Sequence, residues 1–116
     1  MTEAESNIRE SLLDTLSFLA SETKQREFAA TVFYTSYQDE FAFWWFDTFH
    51  PDEPSALRMF NEAQLTILRS FSESFDGNLV ELSDGERTIG QLLQESEWQC
   101  VVATARTTLA QFASAA

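Results

Sequence analysis

The stretch Phe41-Ala42-Phe43-Trp44-Trp45-Phe46-Asp47-Thr48-Phe49 puts six aromatic rings into nine residues, and no fold of this chain can leave them all in water. Each ring placed inside removes on the order of 150–250 Å² of surface from solvent. The chain carries sixteen aromatic side chains in 116 residues. A chain of that length buries only about two-thirds of the surface it exposes unfolded. Some rings must therefore stay at the surface, and what surrounds them decides what they can do.

What surrounds them is negative charge. Seven Lys and Arg stand against nineteen Asp and Glu, for a net charge of −12. The resulting field reaches roughly 8–10 Å at physiological salt. It repels nucleic acid and anionic membrane, whose binding depends on clustered Lys and Arg. It attracts basic proteins and raises their association rates. The plainer account is that acidity keeps an aromatic-rich chain in solution. Between Arg26 and Arg58 there is no Lys or Arg, yet Glu27, Asp39, Glu40, Asp47, Asp52 and Glu53 lie there. A second base-free stretch, Arg69 to Arg87, holds Glu73, Asp76, Glu81, Asp84 and Glu86. Negative faces form wherever the fold brings these carboxylates together.

Length makes a single domain over residues 1–116 the default. Gly77, Gly85, Gly90, Pro51 and Pro54 are the only strong breakers, too few for disorder or low complexity. No apolar run approaches the roughly 20 residues that span a bilayer, and the acidic N-terminus is unlike a secretory signal. The lone Cys100 forms no internal disulfide, which suits a reducing cytoplasm.

Local patterns predict the elements. Thr2-Glu3-Ala4-Glu5 has capping-box spacing. Ile8, Leu12, Leu16 and Leu19 then recur as one face of a helix over about residues 3–20. The β-branched and aromatic segments 31–37 and 41–49, separated by Gln38-Asp39-Glu40, read as a β-hairpin. Phe41, Trp44, Trp45, Thr48 and Phe49 also fit helical spacing, but propensity favours strands. Leu57, Phe60, Gln64, Ile67, Leu68, Phe71 and Phe75 predict a helix over about 55–75, closed by Asp76-Gly77-Asn78. Leu79-Val80-Glu81-Leu82 then reads as a third strand. Ser83 with Glu86 offers another capping box before Ile89, Leu92 and Leu93. Trp98, Val101, Val102, Ala105, Leu109 and Phe112 carry a last helix to about 113. The expected fold is α+β: a small antiparallel sheet packed against N-terminal, central and C-terminal helices.

No catalytic motif, phosphate loop or metal-ligand spacing is present, and no cofactor is expected. His50 stands alone beside Pro51, and Cys100 lies fifty residues away, so neither zinc binding nor a Cys–His pair is indicated. Asp76 to Glu86 resembles a cation loop in composition but fails the EF-hand pattern. The outstanding feature remains the aromatic run within an acidic stretch. On a strand, Trp44 and Phe46 share the face opposite Phe41, Phe43 and Trp45. A partner-binding surface is therefore expected from Asp39, Glu40, Trp44, Phe46, Asp47, Asp52 and Glu53. The tryptophan or phenylalanine anchors while the carboxylates steer. The leading expectation is a non-enzymatic acidic module that blocks a basic protein, as an immunity protein or inhibitor blocks a cationic toxin or nuclease. Alternatives are a homodimeric secretion or assembly chaperone and, further off, a carboxylate-dependent enzyme.

Overall fold

The computed structural model describes residues 1–115, and its architecture is helical rather than α+β. Seven helices follow one another: α1 (Glu3–Leu19), α2 (Glu22–Thr31), α3 (Tyr37–Phe46), α4 (Ala56–Met59), α5 (Glu62–Leu82), α6 (Ile89–Gln94) and α7 (Ser96–Ser114). Among the described residues the β structure is a single parallel bridge between Ser36 and Arg87. Both the hairpin and the third strand expected from propensity are absent.

The hairpin fails because spacing outweighs propensity. Tyr37, Phe41, Trp45 and Phe49 recur every four residues, and all four are buried. A helix turns Phe43 out to solvent while Phe41 and Trp45 enter the core, whereas a strand would have held all three on one face. The polar triplet Gln38-Asp39-Glu40 is the first turn of α3 rather than a hairpin turn. Ser36 caps it, its hydroxyl accepting from the Asp39 amide at 3.4 Å. Carboxylates in that first turn complement the positive end of the helix dipole. The segment 31–37 divides likewise: α2 ends at Thr31, and a short linker leads to Ser36.

The third strand is lost for a related reason. Helix α5 runs straight through Gly77, whose absent side chain meets nothing within 4 Å. Glycine there weakens the helix by about 1 kcal/mol without ending it. Phe75, Leu79 and Leu82 then fall on one face at i, i+4, i+7, and that face packs inward. The helix stops instead at Ser83, which takes φ +64. At its other end the helix expected over 55–75 is cut at Phe60. Asn61 and Gln64 form a reciprocal capping box there, with bonds of 2.7 and 3.0 Å. The box expected at Ser83 and Glu86 forms instead between Thr88 and Gln91, at the start of α6. Thr2 and Glu5 form theirs as expected.

The two longest helices, α5 and α7, run antiparallel as the spine. Asn61 Nδ2 donates to the Ala115 carbonyl at one end, and Asn78 Nδ2 reaches Cys100 Sγ at the other. Helix α1 lies along α7 and contributes Leu12, Leu16 and Leu19 to the core. Helix α3 closes the other side with Phe41 and Trp45, against Phe71, Phe75 and Trp98. Charged anchors hold α1 in place. Arg58 Nε donates to Glu5 Oε2 at 2.6 Å. The Thr2 amide and then Arg58 hold the Glu5 carboxyl below its ordinary value. Arg106 Nε caps the end of α1 through the Ala20 carbonyl at 2.8 Å.

One buried polar residue joins three elements. Gln25, fully enclosed on α2, donates from Nε2 to the Leu19 carbonyl at 3.1 Å and to that of Phe18 at 3.3 Å. Its Oε1 accepts from Trp98 Nε1 on α7 at 2.9 Å. Truncating Gln25 would strand an indole N–H and free carbonyls in the interior. Gln25→Ala is expected to lose about 3 kcal/mol, since each unsatisfied buried group costs about 1–3 kcal/mol. Urea denaturation reads the loss directly; a change below about 1 kcal/mol would show the network to be incidental.

A candidate docking ridge on helix α3

Around the circumference of α3 the side chains sort into four zones. Tyr37, Gln38, Phe41 and Trp45 face the core, and Asp39, Phe43 and Asp47 point outward at i, i+4, i+8. Glu40 and Trp44 form one half-buried flank, and Ala42 and Phe46 the other. Phe43 is 59% exposed between two carboxylates, each one helical turn away.

Burial on the core side fixes this orientation. Trp45 is fully enclosed, its Nε1 donating to Ser72 Oγ at 2.6 Å and its ring meeting Phe71 edge-on at 5.0 Å. Phe46 lies against Phe75 at 5.3 Å. Gln38 Nε2 donates to the Gly85 carbonyl at 2.8 Å. These pairings run in opposite directions along the two segments, so α3 lies antiparallel to the second half of α5. The two base-free stretches of the sequence thus meet side by side. Exposed Glu73, Asp76 and Val80 line the α5 side at i, i+3, i+7.

Arg69 and Arg87, which bound the second of these stretches, sit at the two ends of the ridge and are already engaged. Arg69 pairs with Asp52 at 3.0 Å and donates to the Pro51 carbonyl at 3.1 Å. Arg87 pairs with Glu95 at 3.4 Å and donates to the Leu82 carbonyl at 3.0 Å. Its side chain is mostly enclosed, so the middle of the ridge carries negative charge with no base of its own.

Two hollows flank the ridge. On the α5 side, Phe46, Phe49, Pro51, Ser72, Arg69 and Glu73 line a depression of about 250 Å³. On the α1 side, Phe18, Trp44, Glu10 and Asp14 are among the residues lining a shallow groove of about 360 Å³. Trp44 Nε1 donates to Glu40 Oε1 at 3.1 Å, and its ring packs edge-on against Phe18 at 5.2 Å and Phe28 at 5.1 Å. Trp44 is thus part scaffold and part surface.

Of the residues expected at a partner surface, Asp39, Glu40, Trp44, Phe46 and Asp47 share α3 and its C-cap. Asp52 and Glu53 lie beyond the end of α3, in a hollow that adjoins the Phe46 one through Pro51 and Arg69. Phe43, Glu10 and Asp14 were missed. A strand places Phe43 on the same face as Phe41 and Trp45, and Glu10 and Asp14 lie on α1, far from the aromatic run in the sequence. His50 is exposed, its Nε2 2.8 Å from the Asp47 carbonyl, and Cys100 is exposed on α7. Among the described residues no three His, Cys, Asp or Glu side chains converge as a metal ion needs. None of the helices described is long and apolar enough to cross a membrane. Comparison with protein-family profiles, with curated proteins and with solved structures returned no match.

The ridge separates scaffold from surface sharply enough to test. Trp45→Ala is expected to cost about 3–5 kcal/mol through the cavity it leaves. Phe43→Ala, two residues away, is expected to change stability by about 0.5 kcal/mol or less. Equal losses in a urea titration would mean that Phe43 is not the outward residue described.

Proposed function

We propose that the protein is a non-enzymatic acidic binding module that covers a cationic site on a basic protein, as an inhibitor or immunity protein does for a toxin or nuclease. The observation that carries this reading is the placement of the two base-free stretches beside each other through Phe46 and Phe75, with Phe43 exposed between Asp39 and Asp47 on α3 and Glu73 and Asp76 exposed on α5. An exposed ring supplies contact energy and the surrounding carboxylates supply steering and orientation. Blockade would be steric and electrostatic, the ridge occupying a surface otherwise open to phosphates.

Two other occupants fit less well. A second copy of the chain would oppose one set of carboxylates to another, which costs rather than stabilises. A chaperone holding its client on exposed strands has no strands to offer among the described residues.

The test is isolation of the partner on the immobilised protein, followed by kinetics with purified components. The expected partner is basic, and its association with the wild-type chain slows steeply as salt rises. Asp39→Asn with Asp47→Asn should slow association severalfold, and Phe43→Ala should speed dissociation about tenfold, equivalent to about 1.4 kcal/mol. A neutral or acidic partner, or a basic one indifferent to all three changes, would overturn the reading.

A further inference from the structure

The groove between α1 and α3 has a chemistry distinct from the ridge beside it. Its lining combines two aromatic rings, Phe18 and Trp44, with two carboxylates, Glu10 and Asp14, four residues apart on the same face of α1. That spacing puts the two carboxylates on adjacent turns, their Cβ atoms roughly 5–6 Å apart. Glu40 accepts the indole N–H at 3.1 Å and so restrains the plane of the Trp44 ring. No base of this chain lines the groove. Arg9, next to Glu10 in sequence, points elsewhere: its Nε donates to the Met59 carbonyl at 3.1 Å, and its guanidinium sits over Phe60 and Phe112.

Resting on the binding-module reading, we propose that this groove receives an arginine side chain of the basic partner, its guanidinium stacked on Trp44 and hydrogen-bonded to Glu10 and Asp14. The arrangement favours arginine over lysine. A planar guanidinium presents donors along two edges while its face lies on an indole, so one group can engage both carboxylates and the ring. A lysine ammonium is a compact, strongly hydrated charge that gains less from the aromatic rings. The groove thus assigns the partner a protruding arginine beside the patch that meets Phe43.

Trp44 reports on its own groove. Trp45 and Trp98 are fully buried, leaving Trp44 as the one tryptophan within reach of solvent ions. The experiment measures tryptophan emission of the whole chain, first with caesium, iodide and acrylamide as quenchers, then during titration with a tetra-arginine or a tetra-lysine peptide. Caesium is expected to quench more efficiently than iodide, each scaled to free N-acetyltryptophanamide. Glu10→Gln with Asp14→Asn should cut caesium quenching at least twofold and leave acrylamide quenching unchanged. Tetra-arginine should perturb the emission at about tenfold lower concentration than tetra-lysine, and the double variant should weaken its effect at least fivefold. Equal response to the two peptides, or an arginine response untouched by the double variant, would overturn the proposal. Such a failure would leave the module reading standing if Phe43→Ala still weakens the partner complex. Loss of both effects would remove the two together.

Discussion

The seat of Trp45 governs the surface of this protein. Its ring is wholly enclosed against Phe71 and Phe49, and its indole N–H is bonded to Ser72, so both its apolar body and its polar edge are satisfied. With Phe41 fixed one turn earlier against Phe18 and Trp98, α3 has no freedom to roll about its axis. Every other side chain of the helix takes its bearing from those two. Phe43 must point away from the core, and Trp44 and Phe46 must lie on opposite flanks. Because large rings fill the space between α3 and its neighbours, the flanks open into shallow hollows rather than tight seams.

Electrostatics then acts on a surface that packing has already laid out. Carboxylates at Asp39 and Asp47 are distributed on the same outward line as Phe43, and the adjoining turns of α5 add Glu73 and Asp76. The nearest arginines are spent on Asp52 and Glu95 and on backbone carbonyls. A net charge of −12 by itself says little about recognition. Carboxylates one helical turn to either side of an exposed ring say more, because field and contact area then coincide.

How much of this was legible in the sequence depended on whether one periodicity dominated. The helices carrying Leu12, Leu16 and Leu19, and Trp98, Val101, Val102 and Ala105, have polar residues on their opposite faces, and both were readable with nearly correct ends. The run at 37–49 was not, because rings occupy its outer face as well as its inner one. That leaves the helix weakly amphipathic and lets β propensity carry the reading astray. Gly77 misled for a different reason: in an exposed mid-helix position it costs stability without breaking the helix, and the stripe through Phe75, Leu79 and Leu82 outweighs it. The base-free stretches were visible from the order of residues. That they are neighbours was not, since it depends on the antiparallel placement of α3 and α5. The groove that Glu10 and Asp14 share with Trp44 was hidden in the same way, because it depends on α1 packing beside α3.

The proposed recognition surface requires a negative field concentrated over α3, the neighbouring turns of α5 and the Glu10–Asp14 turns of α1. Amide paramagnetic relaxation with a freely diffusing cationic nitroxide, compared residue by residue with a neutral one of the same size, maps that field without any partner present. The ratio of the two should peak over residues 39–47, 73–76 and 10–14 and stay near its average along the outer face of α7. A ratio uniform over the whole surface would mean that the acidity is spread for solvation alone and that no face has been set apart.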